Sequence, residues 1–178
     1  PFQVFATQNP IEQEGTYPLP EAQLDRFMFS INVFYPSYEE EVEVVRRTTQ
    51  QKQADIQPVA SRDEILKLQT LVRDVAVSDH VLRYAVRLVQ ATRPGHEAAP
   101  EEFERFVSGG AGPRAGQFLV LGGKARALLD GRHTVDIEDI QALAPPVLGH
   151  RVLLNYHAEA EKIDANELLD ELMKRVMP

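Results

Sequence analysis

Ser61-Arg62-Asp63-Glu64-Ile65-Leu66-Lys67-Leu68-Gln69-Thr70-Leu71-Val72 decides the fold. A serine followed three residues later by glutamate is a capping box, and Ile65, Leu68, Leu71 and Val72 then share one face of a helix. That helix is expected to end near Val75 to Val77. Ser78 caps the next, which is expected to bury Val81, Leu82, Ala85, Val86 and Val89 and to stop at Pro94-Gly95, where proline cannot continue it. Pro94 to Pro113 reads as a polar loop holding Gly109, Gly110 and Gly112. It delivers the chain to a helix with Pro113 in its first turn, where a missing amide proton costs nothing. Gly116, Gly122 and Gly123 interrupt that helix at about 1 kcal/mol each relative to alanine, so a bent or frayed helix is expected. Another helix follows Asp136, with Ile137, Ile140 and Leu143 inward, and a last one runs from about Asp164 to Val176.

Working upstream, Ser37 caps a helix whose Glu39, Glu40 and Glu41 suit the positive end of the helix dipole, with Val42, Val44 and Val45 as its apolar stripe. Residues 38 to 178 are therefore almost entirely helical. Residues 1 to 37 have another texture: Phe2 to Ala6 is β-prone, Asn9-Pro10 breaks it, a short helix begins near Pro20, and Met28 to Phe34 alternates apolar with polar. The expected class is mainly α, with two strands and a short helix of an α/β core followed by an all-α bundle. The boundary falls at Tyr35 to Ser37, giving residues 1–36 and 37–178. A chain that opens on Pro1 and runs at once into a strand is expected to be a piece of a longer domain. Strand edges left without neighbours seek partners, so residues 1–36 are expected to pair with each other or with another copy.

The 178 residues suit one domain, or one domain and part of another. At 43% hydrophobic and 26% charged, they are an ordinary globular composition with material for a core. The absence of cysteine excludes disulfides, thiolate metal sites and cysteine nucleophiles, and makes the cytoplasm the expected compartment. No apolar run is long enough to span a membrane. A net charge of −8 argues against nucleic acid as partner. Residues 38–178 alone carry 23 acidic and 18 basic side chains, so a helix-turn-helix reading of the helical part is unfavoured too. His80, His96, His133, His150 and His157 have no metal-like spacing, and no metal site is assigned to protein side chains.

Three clusters could carry chemistry. Asn9, in Ala6-Thr7-Gln8-Asn9-Pro10, follows a strand at the end of a sheet where α/β folds place ligands; its amide could orient a water, or Asn9-Pro10 could be a plain turn. Arg26, in Gly15-Thr16-Tyr17-Pro18-Leu19-Pro20-Glu21-Ala22-Gln23-Leu24-Asp25-Arg26-Phe27, could be a helix-end charge paired to a carboxylate or a guanidinium presented to a phosphate on another molecule. Arg114, in Gly109-Gly110-Ala111-Gly112-Pro113-Arg114-Ala115-Gly116, sits where free amides and a positive dipole favour an anion, or it is a solvated arginine on a flexible loop. Gly122-Gly123-Lys124-Ala125 is not a phosphate loop: Phe118 stands where the first glycine belongs and Ala125 replaces the serine or threonine.

Taken together and in order, these clusters resemble the C-terminal half of a MoxR-type AAA+ ATPase over roughly residues 2 to 155. The first two are similar to that family's sensor 1 and arginine-finger segments, and Gly112-Pro113-Arg114-Ala115 to its sensor 2, though with glycine in place of the usual serine. Asp139-Ile140-Gln141-Ala142-Leu143-Ala144-Pro145-Pro146-Val147-Leu148-Gly149-His150-Arg151 is similar to the segment closing its lid. The resemblance implies that Asn9 polarises the attacking water, that Arg26 reaches a neighbouring subunit's site, and that Arg114 contacts phosphate on its own subunit. It further implies ATP and Mg2+ as cofactors of the intact protein and a homo-oligomeric, hexameric head-to-tail ring. The activity it implies is chaperone-like remodelling of partner proteins, including ones with von Willebrand factor A domains. The phosphate-loop lysine and the Walker B carboxylates do not occur in this sequence, so the chain by itself is expected not to hydrolyse ATP. The alternative is a stand-alone helical adaptor that binds a protein partner without nucleotide.

Overall fold

The computed structural model describes residues 3–8, 19–50 and 56–177. Two helices are held chiefly by their own caps. In α2 (Tyr38–Thr48) the Ser37 amide donates to Glu40 Oε2 at 2.8 Å. In α3 (Arg62–Asp74) the Ser61 amide donates to Glu64 Oε2 at 2.7 Å, and the Glu64 amide returns to Ser61 Oγ at 3.3 Å. Of their apolar stripes, Val44, Val45, Ile65, Leu68 and Leu71 stand exposed, while Val42 and Val72 are half-buried.

The core lies between α4 (Asp79–Ala91), α6 (Pro113–Leu129), α7 (Ile137–Leu148) and α9 (Ala165–Arg175), around Tyr84, Leu88, Leu119, Ile140, Leu148, Leu169 and Leu172. The buried face of α4 is Val81, Tyr84, Ala85, Leu88 and Val89, which corrects the expected one. Leu82 and Val86 face out, at 37% and 50% exposure. Tyr84 decides the rotation of the helix. Its ring is fully buried and its hydroxyl accepts from Gln141 Nε2 at 3.1 Å, so the polar end is satisfied and the face carrying the largest side chain turns inward.

Two small ladders bind the helices. β1 (Ala76–Val77) pairs in parallel with β3 (Thr134–Val135), Ala76 opposite Thr134. The supposed loop after Pro94 contains α5 (Glu101–Phe106) and β2 (Val107–Gly109), the latter antiparallel to β4 (Leu153–Leu154). Phe103 and Phe106, three residues apart among glutamates, both bury, and that anchoring makes a helix of a stretch that reads as polar. A further helix, α8 (Tyr156–Glu161), is too short to show periodicity; Asn155 Oδ1 caps it by accepting from the amides of His157 and Ala158.

Contrary to the fraying expected, α6 runs without interruption from Pro113 to Leu129. A Cβ at Gly123 would lie 2.8 Å from Val135 Cγ1, and one at Gly122 would lie 2.9 Å from Leu143 Cδ1. The two glycines are where β3 and α7 come closest to α6, and packing outweighs propensity there. Gly122-Gly123-Lys124 is thus mid-helix, and Lys124 Nζ donates to the Arg73 carbonyl at the end of α3.

Of the strand–helix–strand expected in residues 1–36, the short helix α1 (Glu21–Leu24) is present, but residues 3–8 and 29–36 join no ladder among the described residues. Val33 and Phe34 are 90% and 84% exposed, so the expected pairing of these segments with each other is not found. A strand exists only where a neighbour answers its amides and carbonyls. What docks residues 25–30 is instead the end of α7: the Ser30 amide donates to the Pro146 carbonyl at 2.9 Å.

Candidate functional site

The start of α6 is set by the turn before it. Thr92, fully buried, accepts the Ala111 amide at its Oγ1, 2.9 Å away, and Arg93 Nε donates to the Ala111 carbonyl at 2.8 Å. Gly110 crosses so near that a Cβ there would fall 2.3 Å from the Thr92 carbonyl oxygen, so only glycine fits. Gly112 is the N-cap and has open space beside it, Pro113 holds the first position, and Arg114 follows in the first turn.

Arg114 does not hang free. Its Nη1 donates to Asp25 Oδ2, joining α6 to the residue just after α1. The other oxygen of that carboxylate, Oδ1, accepts from Arg151 Nε at 2.9 Å. The Arg151 side chain is only 2% exposed, and its Nη2 donates to the carbonyls of Asp25 (2.8 Å) and Phe27 (2.6 Å) while Nη1 donates to the Val147 carbonyl. The guanidinium lies 5.2 Å from the Phe118 ring centre. One buried cation therefore grips the backbone on both sides of Arg26.

Burial draws the Arg151 guanidinium below its ordinary value, the Asp25 carboxylate pulls it back, and Arg114 opposes it as a like charge. His150, whose Nε2 lies 3.3 Å from the Phe27 carbonyl, is held below the usual histidine range by burial and then by Arg151, so it is neutral at pH 7. A cleft of about 190 Å³ opens here, lined in part by Glu21, Asp25, Gly112 and Arg151.

Of the residues picked from sequence, Asn9 lies outside the described residues. Arg26 and Arg114 are brought to the two sides of Asp25. Arg26 is exposed, and its side chain has no ion pair among the described residues. Sequence reading missed Asp25 and Arg151 as a linked pair. The signal available was an arginine set among Val147, Leu148 and Val152, an apolar run in which a charge must be paired. An exposed arginine beside an open glycine at a helix start, as Arg114 is beside Gly112, has the chemistry to meet phosphate oxygens. Among the described residues no group of His, Asp or Glu is placed to hold a metal ion, and no helix is long and apolar enough to cross a membrane.

Residues 101–172 match the AAA lid domain, and residues 1–29 match the family described as ATPases associated with various cellular activities. The fold is that of the last part of an AAA+ core followed by its helical lid. A chaperone named MoxR1 from Mycobacterium tuberculosis is 40% identical over 99% of the chain, and YeaC of Bacillus subtilis, whose name assigns no function, is 42% identical over 99%. A protein from Cytophaga hutchinsonii, provisionally named an ATPase, has a crystal structure that superposes on 96% of the chain with a TM-score of 0.89 at 38% identity. Along nearly its whole length the chain is similar to MoxR-type AAA+ proteins. It spans about half the length of these relatives: 46% of MoxR1, 52% of YeaC and 52% of the solved chain.

Proposed function

We propose that the chain is the sensor and lid part of an ATPase that works as a ring and uses ATP to remodel or activate partner proteins. In this reading residues 1–36 close the nucleotide-binding core and residues 37–178 form the lid. The observation that carries it is a pair of exposed arginines: Arg114 at the start of α6, bonded to Asp25, and Arg26, the residue after Asp25, whose flanking carbonyls Arg151 holds. ATP supplies the phosphoryl group whose transfer spreads negative charge over three oxygens, and catalysis of that step is mainly positioning and charge neutralisation. Arg114 offers a two-pronged cation from the lid to phosphate of its own subunit. Arg26, rigid in backbone and free in side chain, suits a role in the neighbouring subunit's site. Asn9 would orient the attacking water. Such a shared site makes hydrolysis depend on assembly, which favours a head-to-tail ring, hexameric by family resemblance. Mg2+ belongs to this chemistry and would be held outside the described residues. Partners with von Willebrand factor A domains and a cytoplasmic location follow from the same resemblance.

The test is ATP hydrolysis by the full-length protein, with Arg26→Ala and a phosphate-loop lysine variant mixed in varying ratios. Each alone is expected to be inactive and mixtures to regain activity. Normal hydrolysis by Arg26→Ala alone would return Arg26 to a plain surface charge.

A further inference from the structure

Asp25 has one carboxylate and two guanidinium partners of very different character. Arg151, on Oδ1, is buried and fixed besides by the backbone carbonyls of Asp25, Phe27, Met28 and Val147. Arg114, on Oδ2, is 45% exposed, and the carboxylate is its only bonded partner among the described residues. Arg151 and Arg114 also repel one another across that carboxylate. The contact to Arg114 is therefore the exchangeable one, and the residue after Asp25 is Arg26.

We propose that Asp25 is a positioning residue that holds Arg114 until phosphate takes it, so that phosphate engagement on the lid alters the anchoring of Arg26. The inference rests on the phosphate-contacting role given to Arg114 above and adds to it a coupling between the two arginines. A phosphate oxygen and Asp25 Oδ2 are alike to a guanidinium: both are anionic acceptors suited to its fork. When Arg114 moves to phosphate, Asp25 keeps Arg151 alone, and residues 25–27 lose their tie to α6 while retaining the one to α7. The state of one subunit's nucleotide is thereby transmitted to the arginine offered to the next.

The experiment uses the full-length protein and a fluorescent, slowly hydrolysed ATP analogue. Asp25→Asn removes the competing charge, so the analogue should bind about two- to five-fold tighter, the range of an exposed ion pair, while kcat falls because Arg26 is less well placed. Asp25→Glu should recover kcat at least in part. In an Arg114→Ala background, Asp25→Asn should no longer change affinity. A merely structural Asp25 would instead weaken binding whether or not Arg114 is present, and that result overturns the proposal. Hydrogen exchange of the wild-type protein gives a second reading if Asp25→Asn does not fold: amides of residues 25–28 should exchange faster on adding the analogue, and unchanged exchange overturns the coupling. If Arg114→Ala binds the analogue as wild type does, the phosphate role itself fails and takes the inference with it. If Arg114→Ala is impaired but Asp25→Asn is not tighter, only the inference fails.

Discussion

Replacing Arg151 with methionine tests whether the α1 segment is held to α7 by that one guanidinium. Methionine preserves most of the stem's length but removes the guanidinium's contact with the Phe118 ring and its bonds to Asp25, Phe27 and Val147. The Val147 carbonyl lies at a buried residue in the last turn of α7 and loses this partner, at about 1–3 kcal/mol. Asp25 is 30% exposed and keeps Arg114, so its lost ion pair is worth only the surface range of about 0.2–1 kcal/mol. The sum is about 1–4 kcal/mol, which for a chain of this size lowers Tm by about 2–16 °C. Thermal unfolding measures the total. Hydrogen exchange locates it: the Ser30 amide, bonded to the Pro146 carbonyl, should lose protection while amides inside α4 and α9 keep theirs. A shift below about 2 °C with Ser30 still protected would refute the clamp. Arg151→Lys should fall between the two, since an ammonium keeps the charge but cannot form the fork.

Two further outcomes follow. Gly110→Ala should destabilise by about 1–3 kcal/mol in urea unfolding, because its Cβ would meet the Thr92 carbonyl at 2.3 Å and backbone must move; Gly112→Ala, with open space around it, should change stability far less. Asp139 is buried and held below the usual carboxylate range, first by the Arg132 hydrogen bonds and then by the Asp136 amide and nearby charge. A depressed carboxyl adds stability above its unfolded value near 3.8 and loses it as pH falls through the lower folded value. Stability should therefore drop below about pH 4, and this part of the drop should vanish in Asp139→Asn.

The helical part was legible because its signals are local. Ser61 with Glu64, Ser78, Pro113 and Asp136 each act within one turn of helix, and all four mark helix starts in the structure. The order of motifs likewise sufficed to recognise the family, since the chain resembles its relatives along nearly its whole length. Other features depend on residues far apart in sequence. The face of α4 turned on Tyr84 meeting Gln141, 57 residues away, and α5 formed because two phenylalanines found a core. The strands expected at the start of the chain are missing for the converse reason: among the described residues no ladder answers their amides and carbonyls, and alternation of side chains cannot supply hydrogen bonds.

At the site the division is the same. Residue type alone marked Arg26 and Arg114 as candidate phosphate ligands, because a guanidinium carries its charge and geometry wherever it is placed. That Arg114 is tied to the carboxylate of the residue preceding Arg26, and that Arg151 secures that carboxylate from 126 residues away, was decided by the packing of α1, α6 and α7. Pairing energies depend on distance and burial, and neither is written in the order of residues.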